Sequence, residues 1–156
     1  MNFEHLIEIN DPGNPLITML SRDQLWQGLL HRVENPVPFL PGLESCTILE
    51  RQAGELLREL DFGPAVIRDR VTLVAGLWVR FDILPSDTHA GGSLTITIEE
   101  PTADHLFLRF AYRTTLAEAA GTEDRAYIEY VKSAYHQSDV DCVRLIRTLA
   151  AGGSPQ

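Results

Sequence analysis

Through residues 122–150, apolar side chains recur every three to four positions. At 100° per residue Tyr127, Ile128, Val131, Ala134, Tyr135, Cys142, Leu145, Ile146 and Leu149 share one stripe, with Ser138 among them. Glu129, Lys132, His136, Arg144 and Arg147 fall opposite. This predicts one long amphipathic helix, capped by Thr122. Glu123 and Asp124 in its first turn and Arg144 and Arg147 near its end match the macrodipole, and Gly152 and Gly153 stop it. At 1.5 Å per residue it runs roughly 42 Å, the width of a small domain. A helix this long needs a broad apolar surface to lie on.

The rest of the chain supplies that surface as strands. Residues 2–10 alternate, with Phe3, His5, Ile7 and Ile9 on one side, until Asp11-Pro12-Gly13-Asn14-Pro15 breaks the run. Ser21 with Gln24 forms a capping box ahead of a helix whose stripe is Leu25, Leu29 and Val33. Asn35-Pro36 ends that helix, and Pro38 to Gly42 is a tight connector with room for one helical turn. Six further strands are predicted near 44–51, 55–62, 65–74, 77–84, 93–100 and 105–114. Their links are mostly short and rich in turn formers, which makes successive strands antiparallel. Ile67, Asp69, Val71 and Leu73, then Leu77, Val79, Phe81 and Ile83, mark one face, continued by Leu94, Ile96 and Ile98 and by Leu106, Leu108, Phe110 and Tyr112. Arg68, Arg70, Arg80, Asp82, Thr95, Thr97 and Arg109 mark the other. One apolar and one wet face describe a single sheet covered on one side by helices.

Composition narrows the function. The chain of 156 residues suits one domain over 1–151 with a short tail at 152–156. With 22 acidic against 13 basic residues and a net charge of −9, it lacks the basic surface that nucleic acid or an anionic membrane requires. Met1 to Glu8 carries neither a basic nor a long apolar segment, so no secretory leader is expected. The apolar run Val71 to Val79 is too short to span a bilayer. Cys46 and Cys142 read as free thiols of a cytoplasmic protein.

The segment from Leu25 to Arg51, LWQGLLHRVENPVPFLPGLESCTILER, together with Ile98-Glu99-Glu100 and the order of elements, resembles the START/Bet v 1-like (SRPBCC) superfamily, and within it the small AtaL-like branch. The resemblance implies an α+β helix-grip fold: a seven-stranded antiparallel sheet wrapped around a long C-terminal helix, with two short helices after the first strand. It further implies an apolar cavity between sheet and helix for a lipid-, polyketide- or aromatic-like molecule. The superfamily holds carriers, receptors and polyketide cyclases, so the fold leaves open whether the ligand is held or transformed.

Strong catalytic motifs are absent from the sequence. There is no phosphate loop and no G-x-S-x-G elbow, and Ala90-Gly91-Gly92-Ser93 reads as a hairpin. The histidines at 5, 31, 89, 105 and 136 lack metal-ligand spacing, so neither a metal nor a cofactor is expected. His5 and Asp69 are the polar residues on the inner face. As an acid/base pair they would act on an enolisable carbonyl; as plain structure, His5 is a satisfied core histidine and Asp69 pairs with an arginine. Glu99 and Glu100 form a third candidate at an exposed strand end. Phe81, Phe110, Tyr112, Tyr127, Val131 and Tyr135 are expected to line the cavity or fill the core, with Trp26 and Phe39 near its mouth. Trp78 falls on the wet face, which leaves a bulge, a homodimer contact or a shifted register open.

Overall fold

A computed structural model describes residues 2–87, 90–114 and 122–153, without the side chains of 122–124. Strand β1 (Asn2–Glu8) is followed by helix α1 (Arg22–Glu34) and a single 3₁₀ turn (Val37–Phe39). Six strands then run in sequence: β2 (Ser45–Gln52), β3 (Glu55–Asp61), β4 (Val66–Val74), β5 (Trp78–Ile83), β6 (Gly92–Thr102) and β7 (His105–Arg113). Helix α2 (Thr122–Ala150) closes the order. All neighbours in the sheet are antiparallel, in the order β1-β7-β6-β5-β4-β3-β2, so the first strand returns beside the last. Register shifts in β2 between Ile48 and Glu50, and in β6 between Glu99 and Thr102, mark bulges that help the sheet curl. The predicted order of strand, helical pair, six strands and long helix is the one observed, with the second member of the pair reduced to the single 3₁₀ turn. The cap predicted at Thr122 and the acidic pair after it lie outside the described side chains, as does His89.

The alternation sets the two faces. Val71, Val79, Phe81, Ile96, Leu108 and Phe110 are buried on the concave side, beneath the helices. The convex side carries ion pairs between strands, among them Arg68–Glu59 at 3.0 Å and Arg70–Glu55 at 2.6 Å. Such exposed pairs add roughly 0–1 kcal/mol each and mainly keep that face wet. Trp78 lies half-buried on this face, opposite Val74 and Thr97.

Helix α1 starts at the predicted capping box: Gln24 N–H donates to Ser21 Oγ at 3.0 Å, and Ser21 N–H donates to Gln24 Oε1 at 2.8 Å. Its inner face meets the C-terminal half of α2, where Cys142, Val143 and Ile146 are buried. The closest approach is at Gly28, where a Cβ would stand 2.5 Å from Ile146 Cγ2. Arg147 donates to the carbonyls of Thr18, at 2.8 Å, and of Ile9, fastening the end of α2 to the β1–α1 loop. Gly28→Val is therefore expected to cost roughly 2–3 kcal/mol, read as an earlier midpoint in urea unfolding, because the core must move to admit it. An unchanged midpoint would show that the two helices slide freely past each other.

The N-terminal half of α2 departs from the expected buried stripe. Tyr127 is 59 % exposed and Ala134 is exposed as well, whereas Ile128 is buried as expected. A straight helix meets a curved sheet closely over only part of its length. Here α2 packs closely at its C-terminal half, and its other half touches the sheet mainly at the β1–β7 edge, where Tyr135 meets Phe3 and Tyr112.

Candidate ligand-binding cavity

The space left between the N-terminal half of α2 and the concave face is a cavity of about 620 Å³. Leu60, Ile67, Phe81, Ile83 and Leu94 line it from the strands, and Tyr127, Tyr130, Val131 and Tyr135 line it from the helix. At one side the β6 start approaches the β7 end so closely that a Cβ on Gly92 would sit 3.0 Å from the Arg113 carbonyl oxygen; Gly92, at φ 146°, tolerates this. A second groove, of about 660 Å³, lies between the 3₁₀ turn and α2, and Leu40, Ala134 and Ser138 belong to both.

Polar groups gather at the cavity floor. Arg58 on β3 and Asp69 on β4 are direct cross-strand partners, 1 % and 2 % exposed. Arg58 Nε donates to Asp69 Oδ1 at 2.8 Å and Nη2 to Oδ2 at 2.5 Å, a two-pronged pair. Arg58 Nη1 donates to the Val33 carbonyl at 2.9 Å, satisfying a carbonyl at the end of α1. Arg32, from the last turn of α1, also meets Phe81; the two guanidinium carbons stand 5.4 Å (Arg32) and 5.2 Å (Arg58) from that ring centroid.

Behind Arg32, the Tyr112 hydroxyl donates to Asp139 Oδ1. Asp139 is 1 % exposed, and its Oδ2 has no hydrogen-bond partner. Burial raises its carboxyl from 3.8 to about 7, against the opposing pull of Tyr112 and Arg32. Burial, then the Asp139 charge, also raises Tyr112 well above the usual phenol range, so its proton stays in place as a donor. Asp139 thus holds a carboxyl poised to give or take a proton near neutrality.

The sequence-predicted site residues divide. Phe81, Tyr112, Tyr127, Val131 and Tyr135 stand on the cavity wall, and Asp69 on its floor. Trp26 and Phe110 do not line it: both are packed in the core under the helices. Phe39, on the 3₁₀ turn, is buried against the second groove. His5 and Asp69 are not brought together. His5 sits on edge strand β1, edge-on to Tyr112 at 6.1 Å and to His136 at 5.0 Å between ring centroids. Burial and the nearby His136 and Lys132 lower its pKa below 6.5. Glu99 and Glu100 lie outside the cavity, paired with Arg109 and Arg22. Arg32, Arg58 and Asp139 went unnoticed in the sequence. The signals were there: Arg58 alternates with Leu56 and Leu60, and Asp139 stands four residues after Tyr135 and three before Cys142, on the helix stripe.

The family model for AtaL, acetylaranotin biosynthesis cluster protein L, matches residues 7–153. The chain belongs to the AtaL family. No curated protein matches it. Among solved structures, this AtaL-family chain is similar to the ZhuI aromatase/cyclase from Streptomyces sp. R1128, with TM-score 0.63, 21 % identity and 99 % of each chain covered. It is similar to the di-domain aromatase/cyclase StfQ of the steffimycin biosynthetic pathway, with TM-score 0.67, 16 % identity and coverage of 97 % of this chain but 51 % of that one. It also resembles a START superfamily protein from Mycobacterium smegmatis, with TM-score 0.57, 10 % identity, and 91 % and 93 % covered. At these identities the likeness establishes the fold: this AtaL-family protein has the START/Bet v 1-like helix-grip architecture. Among the described residues no helix is long and apolar enough to cross a membrane.

Proposed function

We propose that this protein binds a hydrophobic small molecule, polyketide- or aromatic-like, in the cavity between its sheet and α2. The observation that carries the reading is the cavity itself: about 620 Å³, walled largely by aliphatic and aromatic side chains, with Arg32, Arg58 and Asp69 among a smaller set of polar groups. Ligand sites commonly fall between about 300 and 1,000 Å³ and show this division between apolar wall and polar anchor. The titration of a neutral solvatochromic dye, Nile red, tests it. Val131 faces the cavity from a partly exposed turn of α2, so Val131→Trp should fill the space without unfolding the chain. Dye affinity is expected to fall by about tenfold, the loss of roughly 1.4 kcal/mol of contact, at an unchanged melting temperature. Equal dye binding by both proteins would count against the cavity as the site.

A second reading is favoured by Asp139. A carboxyl titrating near 7, held by a tyrosine hydroxyl behind a cavity arginine, is suited to moving a proton on and off an enolisable carbonyl, as a cyclase or dehydratase does. On this reading Asp139, with Tyr112 as its hydrogen-bond donor, would take the acid/base role in preference to His5 and Asp69.

A further inference from the structure

Buried charges in folded proteins are paired, because an isolated ion in a low-dielectric interior is held at heavy cost. Arg58 obeys this rule through Asp69. Arg32 does not. It is 7 % exposed, it lines the cavity, and its Nη1 has no hydrogen-bond partner. It forms no ion pair with any described carboxylate. The groups around it do not replace one. Cys142 shares a hydrogen bond with the Arg32 side chain, but burial opposes ionisation of its thiol, so it brings no compensating charge, and Tyr112 keeps its proton. Asp139 commits one oxygen to Tyr112 and acts on the guanidinium through its charge alone, with no hydrogen bond to it. Phe81 holds the Arg32 guanidinium by its ring face, 5.4 Å from the centroid, and a ring face can accept no conventional hydrogen bond in the plane of the fork.

We infer that the molecule bound in this cavity ends in a carboxylate, and that Arg32 receives it. The inference rests on the binding function proposed above and names the class of ligand: an aromatic or extended apolar body with one planar anionic head. The guanidinium offers parallel N–H donors whose spacing matches the two oxygens of a carboxylate, and such charge-assisted pairs are roughly twice as strong as neutral ones. Phe81, Tyr112, Tyr127 and Tyr135 give the remainder of the cavity flat aromatic surfaces against which a conjugated body can stack. A neutral ligand would fill the same space and leave the guanidinium uncompensated.

The test compares two probes that differ only at the head, 2-naphthoic acid and methyl 2-naphthoate, as displacers of Nile red from the whole protein at pH 7. The acid is expected to displace the dye at a concentration lower than the ester by about tenfold or more. In Arg32→Gln the ratio should fall to near one. Arg32→Lys, which keeps the charge and loses the fork, should give an intermediate ratio. The ratio within each protein is the readout, so a general change in dye affinity does not enter it. If Arg32→Gln does not fold, the wild-type ratio and Arg32→Lys decide. Dye binding with equal displacement by acid and ester in the wild type, or an acid preference that survives Arg32→Gln, would overturn the inference and leave the binding function standing. Failure of Nile red to bind at all would overturn both.

Discussion

Asp69→Ala is expected to remove about 3–5 kcal/mol of stability, a large share of the roughly 5–15 kcal/mol that holds a domain folded. The substitution leaves the Arg58 guanidinium 1 % exposed with its two-pronged partner gone and only the carbonyls at the end of α1 to satisfy it. Pairing two buried charges yields little net stability; uncovering one of them is what costs. Replacing both members with apolar residues of similar size, Arg58→Met with Asp69→Leu, should therefore recover most of the loss. Urea unfolding followed by the fluorescence of Trp26 and Trp78 measures the cycle. A loss below about 1 kcal/mol for Asp69→Ala would mean that water from the cavity solvates Arg58. The result also governs how any loss of function at position 69 is interpreted: Asp69 braces β3 against β4, and its removal disturbs the cavity floor before any chemistry.

Asp139→Asn carries the second large effect, in the pH dependence of stability. The carboxyl of Asp139 titrates at about 7 in the folded chain against 3.8 ordinarily. Between these values the folded protein binds the proton and the unfolded chain does not, so stability falls as pH rises through the window and is lowest above 7. At 1.36 kcal/mol per unit, with allowance for screening at a site bordering a cavity, the loss is roughly 2–4 kcal/mol, or about 5–15 °C in melting temperature. An asparagine at this position cannot ionise, so the variant should lack this decline. Because burial lowers the pKa of His5, that histidine acts in the opposite sense, adding stability as pH rises through 6.5. The difference between wild type and variant from pH 5 to pH 8 is accordingly the quantity to measure. Parallel profiles would mean that Asp139 is hydrated and titrates normally. The same variant separates binder from enzyme. With a bound aromatic 1,3-diketone, deuterium exchange at the enolisable carbon should exceed that in buffer and depend on Asp139; exchange at the buffer rate in both proteins would leave binding alone.

The elements were legible in the sequence because their periods are short-range physics. Alternation of the kind seen in Leu106, Leu108, Phe110 and Tyr112 is a direct consequence of the pleat, and the Ser21–Gln24 box and the turn glycines act within four residues. The same alternation placed Phe81, Tyr112 and Asp69 on the concave side. It also placed Phe110 there, and Trp26 was expected near the cavity mouth, yet these two are core. An inward direction is common to core and cavity wall, and periodicity has no means of separating them.

The sequence by itself determined a sheet with one wet and one apolar face and a long C-terminal helix to cover it, and its resemblance to the START/Bet v 1-like superfamily implied the helix-grip architecture. Tertiary structure alone decided where helix and sheet part company: Gly28 and Ile146 bring α1 and α2 together at one end, and the curvature of the strands opens the other. It alone decided the chemistry of the floor. Arg58 meets Asp69 because the β3–β4 register sets them opposite, whereas Arg32, Tyr112 and Asp139 converge from α1, β7 and α2, elements distant in the chain. Charges that are ordinary at separate sequence positions become a paired brace, an unpaired guanidinium and a carboxyl near neutrality only once packing has removed the water around them.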